Sequence, residues 1–220
     1  MKTEKFYYSL DFHGVDLAKI AAENTLFSGT FGPEHMATIR AVNPEAKFYW
    51  YLLTRLLQPW VEDHWKMFAK KHHLDQELIY VLDNQGRRLL ATDASRPWPV
   101  VNIGNLDIRW WSYVFAKQYA KHSDGVNVDH PFQWTGEEPY PGYHEDCLEW
   151  LWNLSGQIGG KEVIINISDA ARYLEGPQAE RLKRLRHRVT MWAQGGLGFF
   201  ENERFILGVD NKNLYTSERP

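Results

Sequence analysis

The chain has 220 residues, 44% of them apolar, and a formal charge of −3. That size suits one domain with a full hydrophobic core and needs no covalent staples. The near-neutral balance, with Lys and Arg spread along the chain, gives no electrostatic case for nucleic acid or an anionic membrane.

The single cysteine, Cys147, excludes an intrachain disulfide and a multi-cysteine metal site. The charged start, Met-Lys-Thr-Glu-Lys-Phe-Tyr-Tyr, lacks the apolar core of a signal peptide, and no stretch is long enough to span a membrane. A protein of the cell interior and a mature exported form both fit. The excess is in tryptophan, ten in all. Indoles serve as core anchors, and they also stack on the flat C–H faces of sugar rings.

Strand and helix signals alternate along the chain. Lys5–Asp11 reads as a strand that stops at Asp11-Phe-His-Gly14, and Val15–Glu23 as a short amphipathic helix. Thr25–Phe31 is a second strand, and Pro33 opens a helix that ends at Asn43-Pro44. Lys47–Leu53 is apolar without alternation, as expected for a strand covered on both faces of a parallel sheet. A long excursion follows. It contains a helix over Pro59–Lys71 and a hairpin of Leu78–Leu82 with Arg87–Thr92 around Asp83-Asn-Gln-Gly86. The loop Ser95–Pro99 then leads to a long helix with Asp107 as its expected N-cap. Long connections inside compact domains usually serve function.

Asp124–Asp129 is the next strand, followed by a loop rich in Pro, Gly and Trp and a helix over Glu145–Ile158. Lys161–Ile167 reads as a fifth strand, Ala179–Val189 as a basic helix, and Gly196–Glu201 as a sixth strand. Phe205–Val209 is the one further strand candidate. The expectation is an α/β fold with a parallel sheet, a (β/α) TIM-barrel-like domain over residues 1–209 and a polar tail over 210–220. With about six recognisable strands, the barrel reads as incomplete. No glycine-rich phosphate loop follows a strand, which argues against a dinucleotide fold and leaves no cofactor expected.

In a barrel, residues at the C-terminal strand ends line the site. Those ends offer Asp11 and His13, Thr54, Asp129 and His130, Asn166 and Ser168, and Glu201. Two carboxylates at separate ends suit glycoside hydrolysis, where one protonates the leaving oxygen and the other attacks or activates water. Asp129 and Glu201 are the expected catalytic pair. Trp134, in the loop after Asp129, is the expected sugar platform. Asp11, His13, Trp50, Asn102, His130 and Asn166 are the other expected substrate contacts, and of the neighbours Trp50 and Tyr51 one must point inward. No metal is expected in this reading. An alternative is a metal-dependent hydrolase on Asp11, His13 and His130; another is a non-catalytic carbohydrate-binding or structural barrel. No Gly-x-Ser-x-Gly occurs, and Cys147 falls on the apolar side of a helix.

The order of motifs resembles the glycoside hydrolase barrels of the endo-α-1,4-polygalactosaminidase group and of hypothetical glycosyl hydrolase family 15. The resembling stretches are Ile39–Tyr51, Val81–Gly86, Val101–Asn105 with Arg109-Trp-Trp-Ser-Tyr113, and Asp124–Asp129. The resemblance implies a TIM barrel that cleaves a polysaccharide, with Asp129 as the acid of strand four and Glu201 as an acid at the end of strand six. Members usually continue through strands seven and eight.

Overall fold

The computed structural model describes residues 6–9, 12, 14–91, 97–129, 138–166 and 200–201. Within these, six strands form one parallel sheet: β1 (Phe6–Ser9), β2 (Leu26–Gly29), β3 (Lys47–Leu53), β4 (Gly125–Asp129), β5 (Glu162–Asn166) and β6 (Phe200–Glu201). They pair in chain order, β1-β2-β3-β4-β5-β6. A doubly wound sheet would reverse direction part-way, so this order is singly wound. The parallel α/β architecture expected from the alternating pattern is therefore present. The expected helix Ala179–Val189, the strand candidate Phe205–Val209 and the tail lie outside the described residues.

Five helices connect the strands among the described residues: α1 (Leu17–Glu23), α2 (Pro33–Val42), α3 (Pro59–His72), α4 (Leu106–Ala120) and α5 (Tyr143–Gln157). Their ends follow local chemistry. The Asp16 side chain accepts from the Lys19 amide at 3.0 Å and starts α1. Pro33 sits in the first turn of α2, and Pro59 in that of α3. The cap of α4 differs from expectation. Asn105, not Asp107, accepts from the amides of Asp107 (2.9 Å) and Ile108 (3.3 Å). Asp107 sits instead in the first turn, where its charge suits the helix dipole.

The excursion between β3 and β4 also differs in its first hairpin arm. Gln76–Ile79 is a 3-10 turn capped by Asp75, whose side chain accepts from the Glu77 amide at 2.9 Å. Pairing begins only at Tyr80. Leu82 bridges Arg88 and Tyr80 bridges Val101, while Leu56 bridges Val100, all antiparallel. The turn Asp83–Gly86 is as expected, closed by Gly86 N to Asp83 O at 2.9 Å.

Strand alternation divides the side chains between two faces. Phe27, Phe48, Leu52, Val126, Val128 and Val163 face the helices. They pack in two clusters, one with α3, α4 and α5, and one with α1 and α2. The other face carries Leu26, Tyr49 and Ile164, a small apolar layer of its own, together with buried Ser28, Asn127 and Asp129. β4 is buried at all five positions, so it is covered on both faces, as in other parallel sheets.

The inner face is concave. Asn127 Nδ2 donates to Ser28 Oγ at 2.9 Å although β3 lies between their strands. Strands two apart in a flat sheet are about 10 Å apart, beyond the reach of these two short side chains, so the sheet curls towards this face. Gly125 opens the interior further. A Cβ there would lie 2.1 Å from Glu162 O and 3.0 Å from the Tyr49 ring. Its absence lets the Tyr49 hydroxyl pass over β4 to Glu162.

Candidate active site

β4 ends in Asp129, which is buried on the concave face at 7% exposure. Tyr51, on the neighbouring strand β3, donates its hydroxyl to Asp129 Oδ2. Beneath this pair lies the Asn127–Ser28 hydrogen bond. Towards the N-terminal strand ends of the same face, Lys47 Nζ meets Glu162 Oε1 at 3.1 Å and the Tyr49 hydroxyl meets Glu162 Oε2. Burial alone would raise the Glu162 pKa, but the Tyr49 hydroxyl and the Lys47 ammonium outweigh it and hold this carboxylate below its ordinary range. The interior thus runs from a neutralised ion pair at the base, through a neutral polar layer, to a carboxylate at the C-terminal rim.

Of the pair Trp50 and Tyr51, the inward ring is Tyr51. Trp50 turns to the helices, stacks on Tyr119 at 4.9 Å between centroids, and meets Phe31 edge-on at 5.5 Å. It is a packing residue, not a wall of the concave face. β3 reads apolar on both faces, so its sequence pattern gives no parity signal that would single out Tyr51 as the partner of the acid.

Asn102 belongs to the excursion. Its amide Nδ2 donates to Leu78 O at 3.3 Å and its backbone N–H to Ile79 O at 2.8 Å. Thr54 borders an apolar cavity of about 30 Å³ together with Leu53, Val101, Trp111 and Trp150. That volume has room for one water and no sugar.

Glu201 ends β6 in register with Asn166 of β5. The last β4–β5 pair is Val128 with Ile165, so positions 129, 166 and 201 occupy the next rung of the sheet. Asp11, His13, His130 and Trp134 lie outside the described residues. Among the described residues no group of three His, Cys, Asp or Glu could hold a metal ion, and no helix is long and apolar enough to cross a membrane. Cys147 is a buried thiol whose pKa burial pushes up, as befits a small core residue.

A second polar cluster stands behind the rim, and its long-range pairings could not be read from sequence. Arg109 of α4 is 9% exposed. Its Nε donates to Ile103 O at 2.7 Å, Nη2 to Asp146 at 2.5 Å and Nη1 to Glu149 at 2.6 Å. The Tyr140 hydroxyl donates to the other oxygen of Asp146 at 2.8 Å. Nearby, Arg55 is buried at 2% directly after β3, close enough to act on Tyr143 and Cys147 through its charge.

No family model and no curated protein matches the sequence. Solved structures share the fold. Ega3 from Aspergillus fumigatus, in complex with galactosamine, has a TM-score of 0.56 at 12% identity, over 90% of this chain and 76% of that one. An α-galactosidase from Thermus thermophilus, bound to p-nitrophenyl α-D-galactopyranoside, has a TM-score of 0.52 at 13% identity over 74% of this chain. Its stachyose complex has a TM-score of 0.51 at 15% identity, again over 74% of this chain. The chain spans 37% and 39% of the Thermus enzyme in these two structures. At these identities the likeness is one of fold.

Proposed function

We propose that this protein is an O-glycosyl hydrolase acting on a polysaccharide, with Asp129 and Glu201 as its carboxyl pair. The observation that carries the reading is Asp129 itself, a carboxylate buried at the C-terminal end of β4 on a concave face and held by the Tyr51 hydroxyl. Residues in this location line the sites of (β/α) barrels, and the sequential strand order and inward curl support a barrel built from this sheet. A hydroxyl donated to Oδ2 suits a carboxylate working as nucleophile or base. Glu201 then takes the complementary task of protonating the leaving oxygen.

The rung arrangement supports that division. Positions 129 and 201 are separated by β5, which gives about 10 Å between their backbones. Glycosidases use carboxyl separations of about 5–9.5 Å, so a backbone spacing of this order is compatible with the pair. His130 and Trp134, one and five residues after Asp129 in sequence, serve in this reading as polar contact and platform to the sugar, with Asp11, His13 and Asn166 as further contacts. Galactosamine and galactose sugars are the first to try, because the structures of Ega3 and of the Thermus α-galactosidase hold galactosamine and a galactoside.

The test is turnover of a panel of galactosamine- and galactose-containing polysaccharides by wild type and Asp129→Asn. The substitution keeps size and hydrogen bonding while removing the charge, so activity falls at least about 100-fold. Unchanged turnover rejects the assignment.

A further inference from the structure

Ser28, Tyr49 and Gly125 stand side by side on β2, β3 and β4, and two residues closer to the C-terminal ends Tyr51 stands beside Asn127. The hydrogen bond from Asn127 Nδ2 to Ser28 Oγ (2.9 Å) therefore runs diagonally across β3, between Tyr49 and Tyr51. It forms a bar, and the two phenols part on either side of it. Tyr49 lies on the N-terminal side, passes over Gly125 and gives its hydroxyl to Glu162. Tyr51 lies on the C-terminal side and gives its hydroxyl to Asp129, two residues beyond Asn127 on the same face of β4. Each tyrosine thus serves one carboxylate, and the bar keeps the two pairs apart.

The fold alone does not ask for this bar. Barrel interiors are filled mostly by branched apolar side chains. Exchanging a buried hydrogen-bonded pair for apolar groups of the same shape is nearly neutral for stability. Yet Ser28 and Asn127, both buried, are a hydroxyl and an amide. What such a pair adds is direction. An amide tied to a hydroxyl two strands away is held in one orientation, so the floor on which the Tyr51 ring rests has a fixed height. Tyr49 already fills the space that Gly125 leaves on the other side. The Tyr51 ring is left one way to lean, towards Asp129.

We infer that Ser28 and Asn127 are positioning residues: their hydrogen bond props the Tyr51 ring and keeps its hydroxyl on Asp129 Oδ2. The catalytic meaning of the bar rests on the glycosidase reading, whereas the aim of Tyr51 rests on the geometry of the sheet. The bar works through the group that holds the reacting carboxylate and not through the grip on the polymer. It therefore acts on kcat rather than KM.

Two variants test it. Ser28→Ala deletes one oxygen and breaks the bar with the least change of volume, and Asn127→Ala removes its other half. In a crystal structure of Ser28→Ala, the Tyr51 ring drops towards position 28 and its hydroxyl lies beyond about 3.5 Å from Asp129. On the polysaccharide that wild type cleaves, Ser28→Ala lowers kcat about 3- to 10-fold with KM held within about twofold, and Asn127→Ala lowers kcat further. In the Tyr51→Phe background no hydroxyl is left to aim, so adding Ser28→Ala changes kcat by less than about twofold, since two changes to one interaction do not add. Should Asn127→Ala fail to fold, Ser28→Ala decides alone. A Tyr51 hydroxyl still bonded to Asp129 in the Ser28→Ala structure, a raised KM at constant kcat, or full additivity with Tyr51→Phe overturns the proposal. Absence of turnover by wild type across the panel is a different result: it rejects the glycosidase reading and with it the catalytic role of the bar, while the Ser28→Ala structure still decides whether the bar aims Tyr51.

Discussion

Tyr51 and Asp129 meet through one buried hydrogen bond. Phenylalanine at position 51 would keep the ring in place and withdraw only the donor. A hydrogen bond to a charged group contributes about 1.5–3 kcal/mol. If the bond is held in the transition state, Tyr51→Phe lowers kcat about 10- to 100-fold. A kcat equal to wild type would show that the hydroxyl is a structural tie with no part in the reaction. Asp129 itself was legible as a strand-end acid because the valine-bearing segment of β4 stops at it. Its partner was not, since Trp50 and Tyr51 are both large aromatics in a run without alternation. Arg109 illustrates a second limit: its partners Asp146 and Glu149 are 37 and 40 residues away, and no local pattern links them.

At the scale of elements, the hairpin of the excursion is fastened to α3 by Glu62. Its Oε1 accepts from Lys66 at 2.5 Å and from the Tyr80 hydroxyl at 2.8 Å, while Arg88 lies 3.6 Å above the Tyr80 ring. Burial alone would raise the Glu62 pKa, but the Lys66 ammonium and the Tyr80 hydroxyl outweigh it and leave the carboxyl below its usual 4.5. The unfolded chain then binds a proton first as pH falls. This fastening is at full strength above about pH 4.5 and is lost as pH drops through the lower, folded value. Glu62→Gln therefore lowers stability by about 1 kcal/mol at neutral pH, and the gap to wild type closes in acid. Urea midpoints at pH 7 and pH 3.5 would measure both; a gap that widens in acid contradicts this account.

The elements themselves were legible to different degrees, for physical reasons. β3 and β4 announce themselves because they are covered on both sides. The first arm of the hairpin was misread because Leu78 and Ile79 look like strand residues, yet Asp75 caps a 3-10 turn over them. Asn105 displaced Asp107 as the cap of α4 because an uncharged amide two residues earlier could reach two amides at once.

At the scale of the whole molecule, the two helix-side clusters share one residue among the described residues. Trp50 packs against both the α3–α4–α5 cluster and the α1–α2 cluster. Trp50→Leu removes most of that common surface, at a cost of about 2–4 kcal/mol. In a chain of this length the melting temperature falls by about 2–4 °C for each kcal/mol. KM for the polysaccharide stays at the wild-type value, because the ring faces away from the cleft. A raised KM in a stably folded variant would return Trp50 to the sugar site.

The parity of β3 has a consequence for how this protein can change. Positions 48, 50 and 52 answer to the helices, whereas 47, 49 and 51 answer to the cavity, although all six are adjacent in sequence. Substitutions at the first set tune endurance, and those at the second tune chemistry. Two selective pressures can therefore act on one short strand with little crosstalk. Deleting or inserting a single residue within it would exchange the two sets, placing Trp50 over the acid and Tyr51 among the helices. A change of length in this strand is therefore costlier than a change of identity.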